Sequence, residues 1–192
     1  RNNEELYFSY YLDELKEAKI IEGYSYEEVT FTLSEAIIFS YVKKTQLKTK
    51  LKIEDKAKTL LQPCTYNMDF VIWGFKKNTK FASIDKDDLP ILLLSEYEGI
   101  SQAFIDIKGE FAGRTNTTQY TFPLKQKWLY QDYKIYTNKI IPNKLFAKTF
   151  TPKKVVELEI FKRDNVKKGI KAGDSKLKFK PTKIEDWLKT LK

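Results

Sequence analysis

Apolar residues near the start of the chain recur every three or four positions, at Leu6, Phe8, Tyr11, Leu12, Leu15 and Ala18, while Glu14, Lys16 and Glu17 fall between them. That period predicts a helix over residues 3–19 with one face turned to a core. From residue 28 the period becomes two: Val29, Phe31 and Leu33 alternate with Glu28, Thr30 and Thr32, as in a half-buried strand over 28–33. Residues 34–42 fit a strand or a helix equally. Residues 46–58 are dominated by Lys and short polar residues, which predicts a solvated loop or an edge hairpin whose basic character could also serve a phosphate backbone. Aromatic and β-branched residues concentrate in 65–73 and 103–108, the two most strand-like segments. A charged connection at 76–88 and a short buried element at 89–94 separate them. After a turn at 113–118, Leu124, Trp128 and Leu129 mark a helix over 121–133, and strand character resumes over 134–141 to end at Pro142.

Past residue 152 the composition shifts toward Lys. The expected organisation is an α/β domain over 1–152 with a basic extension over 153–192, in which 163–183 reads as an arm and 184–191 as a short amphipathic helix. The 192 residues, 42% of them hydrophobic, suffice for one sizeable core. Thirty-five Lys and Arg against 26 Asp and Glu leave a net charge of +9, which draws polyanions, nucleic acid ahead of an acidic membrane surface. No apolar run approaches the roughly 20 residues that cross a bilayer, and the opening segment is acidic and amphipathic, so a soluble cytoplasmic protein is expected. Cys64 stands alone, which excludes an internal disulfide framework and a Cys-rich zinc site. The chain has no His, so histidine triads, histidine-ligated zinc and histidine general bases are excluded as well. No Gly-rich phosphate loop of a nucleotide-binding enzyme is present.

Any chemistry must use carboxylates, lysines or hydroxyls. Along 65–73, alternation sends Met68, Phe70 and Ile72 to one face and Asn67, Asp69 and Val71 to the other, which sets Asp69 at the centre of an apolar strand. Along 103–108, Ile105 and Ile107 share the packed face, so Asp106 and Lys108 emerge together on the opposite one, roughly 7 Å apart along the strand. If the two strands are neighbours, Asp69 and Asp106 can converge on a divalent cation. Mg²⁺ suits such a site because it prefers hard oxygen ligands and keeps waters, and Lys108 is placed to orient a water or offset charge developing at phosphorus. Each piece alone has a plainer explanation: an exposed carboxylate–lysine pair, a solvated helix face, a glycine that ends a strand.

Tyr66-Asn67-Met68-Asp69-Phe70, followed 37 positions after its aspartate by Phe104-Ile105-Asp106-Ile107-Lys108-Gly109, resembles the split motif of PD-(D/E)XK nucleases. Glu4-Glu5-Leu6-Tyr7-Phe8 looks like the glutamate-bearing first helix of those enzymes, with Glu5 favoured over Glu4 by its helical phase. Phe122-Pro123-Leu124-Lys125-Gln126-Lys127-Trp128 resembles the helix that follows the motif strand. The likeness covers about residues 3–141, and Met68 departs from it by standing where the family name implies proline. It implies a restriction-endonuclease-like fold, a central mixed β-sheet flanked by helices, and a Mg²⁺- or Mn²⁺-dependent endonuclease acting on DNA. Asp69, Asp106, Lys108 and Glu5 would be the catalytic set. Asp69, Asp106, Glu5 and, through its main chain, Ile107 would hold the metal. Gly109, Arg114, Lys125, Gln126 and Lys127 would meet the nucleic acid. Phage-encoded members, among them junction resolvases and recombination nucleases, are similar in size and layout, so branched DNA, a homodimer and action in the host cytoplasm are the matching expectations. The rival expectation is a nuclease-like fold that binds DNA without cutting it.

Overall fold

The computed structural model describes residues 2–76, 81–83, 91–109, 116–161 and 180–190. The first helix, α1 (Asn3–Glu17), starts at Asn2, whose side chain accepts the Glu5 N–H at 2.8 Å while the Glu5 carboxylate accepts the Asn2 N–H at 3.1 Å. This reciprocal capping box satisfies two of the helix's orphan donors and stabilises it by about 1 kcal/mol. Phe8, Tyr11, Leu12 and Leu15 form its buried stripe, as their spacing predicts.

Six strands follow: β1 (Gly23–Tyr26), β2 (Thr30–Ser34), β3 (Ile37–Gln46), β4 (Leu51–Leu61), β5 (Cys64–Asn67) and β6 (Phe70–Trp73). Then come β7 (Ala82–Ser83), β8 (Leu92–Leu93), β9 (Ser95–Tyr97), β10 (Ile100–Ile107), α2 (Asn116–Tyr133), β11 (Thr137–Ile140), α3 (Pro142–Lys148), α4 (Lys153–Phe161) and α5 (Ile184–Lys189). The fold is α/β. Its main sheet runs β1-β6-β10-β11, with β9 also on β10; β10 and β11 are parallel and the other pairs antiparallel, so the sheet is mixed. A two-residue turn joins β9 to β10, and both Glu98 (φ 54°) and Gly99 (φ 76°) are left-handed there, the twist that suits a tight hairpin.

Phe70, Ile72, Ala103, Ile105, Ile107 and Ile140 meet the α1 stripe in one buried core. Tyr11 stacks on Phe150 at 4.4 Å between ring centroids, and its hydroxyl donates to Thr149 Oγ1 at 3.1 Å. Trp187 of α5 lies against both Phe81 and Phe150, and Val155 of α4 is fully buried in the same cluster. The amphipathic helix expected over 184–191 is α5, and α4 adds a core contact where the composition predicted only a basic extension. Most of the expected arm at 163–183 lies outside the described residues.

The chain divides into two compact units that do not follow a boundary at 152: one comprises Arg1–Val29 with Met68–Lys192, the other Thr30–Asn67. The second unit holds the antiparallel pairs β2–β5 and β3–β4. Residues 34–42, ambiguous by pattern, are mainly strand, and 46–58 form part of a hairpin rather than a loop. Two further expectations shift. Residues 65–73 are two strands, β5 and β6, because the chain leaves the sheet at Met68 and Asp69, where the Met68 N–H turns to Val29 C=O at 2.9 Å. Helix α2 begins at Asn116, so 116–118 are helical rather than part of a turn, and residues 113–115 lie outside the described set. Pro123 therefore sits inside the helix. Among the described residues no helix is long and apolar enough to cross a membrane.

Candidate functional site

The antiparallel register of β6 and β10 ends at Ile105 opposite Phe70, and one step further sets Asp106 opposite Asp69. Beyond that point the ladder is replaced by a side chain: the Ile107 N–H donates to Asp69 Oδ2 at 2.5 Å. Because that N–H faces β6, Asp106 and Asp69 occupy the non-hydrogen-bonded position between two ladder rungs, where opposed side chains come closest. The two carboxylates expected to converge do so. Asp69, expected in mid-strand, sits instead at the break between β5 and β6.

Asp106 is buried at 4% exposure and Asp69 is half-buried. Burial raises the Asp69 carboxyl most; the Ile107 N–H opposes it, the Asp106 charge adds to it, Lys108 opposes it and Glu5 adds to it, for a value of about 6. Asp106 is also pushed above its ordinary value by burial, with Lys108, Lys139 and Lys125 pulling the other way. Lys108 Nζ lies 2.6 Å from Asp106 Oδ2, with 22% of the Lys108 side chain exposed. Lys108 is thus the cation that meets this buried oxygen.

Glu5 does not join the pair as expected. Its carboxylate accepts from the Asn2 main chain, from Asn2 Nδ2 at 2.6 Å and from the Tyr26 hydroxyl at 2.8 Å, and it reaches Asp69 only through its charge. Glu4, the alternative on the same helix, borders the end of the motif: a Cβ added at Gly109, directly after Lys108, would lie 3.4 Å from Glu4 Oε1. Among the described residues no three Asp, Glu, Cys or His side chains form a group that could hold a metal ion. The donors at hand are the Asp69 and Asp106 carboxylates and the Ile107 carbonyl, which leaves the strand on the same edge as the N–H given to Asp69. Two carboxylates supplemented by water and substrate oxygens are a normal Mg²⁺ set. The close approach of two carboxylates from adjacent strands, each raising the cost of the other's charge, fits a cation at that point.

The residues expected to meet nucleic acid are divided. Lys125 lies close enough for its charge to act on Asp106, and Gly109 follows Lys108 with the Glu4 carboxylate beside it. Gln126 Nε2 donates to Thr137 C=O at 2.6 Å, so it braces α2 against β11 rather than facing a ligand. Lys127 is exposed. Arg114 lies outside the described residues. Lys139, which the pattern did not single out, pairs in register with Asp106 across β10 and β11. Lys108 and Lys139 hold their ammonium groups 5.8 and 5.6 Å from the centre of the Phe122 ring, which anchors both beside Asp106. From Lys139 a groove of about 590 Å³ continues along Lys144 and Lys148. The sequence signal for Lys139 was no more than a cation between Asn138 and Ile140 in a short strand segment.

Comparison with protein-family models, with curated proteins and with solved structures gave no match to this chain.

Proposed function

We propose that this chain is a metal-dependent nuclease of the PD-(D/E)XK kind that hydrolyses phosphodiester bonds in DNA at Asp69, Asp106 and Lys108. The observation that carries this reading is the meeting of two acids from adjacent strands, both with raised pKa, beside one lysine. The succession α1, three antiparallel strands ending in the motif strand, α2 and a parallel strand agrees with the restriction-endonuclease-like layout that the motif implies.

Asp69 and Asp106 would hold Mg²⁺ or Mn²⁺ with the Ile107 carbonyl. When bound, the ion supplies Lewis-acid polarisation of the scissile phosphate and of a water. Ile107 fixes one oxygen of Asp69 through its N–H and leaves the other for ligation. Lys108 presents a cation to the charge that develops on phosphate oxygens, in a partly buried setting where that charge is poorly screened. Lys139, Lys144 and Lys148 give the flanking backbone a cationic track. Branched DNA, a homodimer and a phage setting remain part of the proposal through the motif's likeness alone.

Incubating the protein with branched, duplex and single-stranded DNA and Mn²⁺ tests the reading: cleavage that disappears in Asp69→Asn, Asp106→Asn and Lys108→Ala supports it, and cleavage surviving all three removes it. One observation favours a second reading, a nuclease-like fold that binds DNA without cutting. Lys108 already pairs with Asp106, which would make those two a structural ion pair.

A further inference from the structure

The β3–β4 ribbon sorts its side chains by chemistry. Cross-strand partners share a face, so the register puts Phe39 beside Lys58, Tyr41 beside Lys56, Lys43 beside Glu54 and Thr45 beside Lys52 on one side. The other side carries Ile38, Val42, Ile53 and Leu51, with Lys44 as its one lysine in register and Asp55 opposite Val42. The first face is open: Phe39 is 52% and Tyr41 40% exposed, with their rings stacked at 6.0 Å and 12°, and the Lys52 and Lys56 side chains are 53% and 44% exposed. Glu54 is the single acid there, and Lys52 and Lys56 flank it at 2.6 and 3.7 Å. Lys48 and Lys50 extend the charge around the connecting turn. Seven lysines against two acids lie between Ile37 and Leu61.

We propose that this lysine-and-aromatic face binds duplex DNA by lying along the major groove; the identity of the polyanion as DNA rests on the nuclease reading above. A two-stranded ribbon is the width that a groove of about 12 Å admits. Ten residues of β3 extend roughly 33 Å, close to one turn of the duplex. Cations spaced along both strands meet the phosphates that flank the groove, and Phe39 and Tyr41 offer apolar surface to thymine methyl groups.

The full chain is measured for binding to a 20-base-pair duplex in EDTA over a range of salt, as wild type, as Lys43→Ala/Lys56→Ala/Lys58→Ala, and as Val42→Thr/Ile53→Thr on the opposite face. The lysine triple is expected to lower the slope of log affinity against log salt by about three and to weaken binding roughly tenfold or more at low salt, with the opposite-face variant unchanged. On the wild type, the duplex is expected to slow acetylation of Lys56 and Lys58 but not of Lys44, a readout that needs no variant to fold. An unchanged salt slope with unprotected lysines overturns the proposal, as does loss of binding to acidic vesicles in place of loss of binding to DNA. Ribbon-dependent DNA binding with no metal-dependent cleavage would leave this proposal standing and remove the nuclease reading; cleavage with an unchanged slope in the triple would do the reverse.

Discussion

The Asp69 carboxylate accepts the Ile107 N–H at 2.5 Å, taking the place of the main-chain carbonyl that β6 would have offered had it continued through Met68. The same side chain therefore closes the sheet's hydrogen-bond ladder and faces Asp106. Asn at position 69 keeps an oxygen for that N–H. Asp69→Asn is accordingly expected to stay within about 1 kcal/mol of wild-type stability while lowering cleavage at least a hundredfold. Thermal unfolding beside a Mn²⁺-dependent cleavage assay checks both halves.

The acids dictate a pH dependence. Asp69 titrates in the folded chain at about 6, above its ordinary 3.8, and Asp106 is shifted in the same direction. A carboxyl with a raised folded pKa contributes stability below its ordinary pKa, and that contribution is lost as pH rises through the folded value. The metal-free protein should lose stability between about pH 4 and 6 on this account, and saturating Mg²⁺ should offset the loss at higher pH. Cleavage should rise through about pH 6, because a metal takes the ionised carboxylate. Melting curves with and without Mg²⁺ and a rate profile from pH 5 to 8 would show this, and a flat rate profile would contradict it.

Much of this arrangement is legible in the amino-acid sequence, and the parts that are not have physical reasons. The α1 stripe of Phe8, Tyr11, Leu12 and Leu15 and the alternation around Asp106 report local periods, which one segment sets for itself. The adjacency of β6 and β10 is non-local, and alternation could only say that Asp69 and Asp106 would meet if the strands were paired. The break at Met68 and Asp69 is invisible to alternation because both residues continue the pattern while the backbone leaves it. Asn2 and Glu5 carry a readable N-terminal cap at three-residue spacing, yet the motif likeness drew Glu5 toward the metal instead. The apolar spacing of Ile184 and Trp187 was legible as a short amphipathic helix, whereas lysine-rich composition hid Val155, since a few buried residues suffice to dock a short helix whatever its exposed faces carry.

Glu5 should behave as a cap. Glu5→Gln retains hydrogen-bonding groups for Asn2 and Tyr26 and is expected to change cleavage by less than about threefold, whereas Glu5→Ala should cost about 1 kcal/mol of stability. Urea unfolding and initial rates measured on both variants separate the roles. A hundredfold loss of rate in Glu5→Gln would return Glu5 to the metal site.

The C-terminal helix should matter to folding. Trp187 is 5% exposed between Phe81 and Phe150, so Trp187→Ala is expected to destabilise the chain by about 3–5 kcal/mol. Denaturant unfolding tests this, and a change below 1 kcal/mol would mean that α5 is dispensable.

The most direct measurement is calorimetric titration of Mn²⁺ into the metal-free wild type and into Asp106→Asn at pH 7.5, each checked for native fold by circular dichroism. The account predicts one site per chain in the wild type and its loss in the folded variant. Equal binding by both, or no binding by the wild type even with duplex DNA present, would contradict a cation held between Asp69 and Asp106.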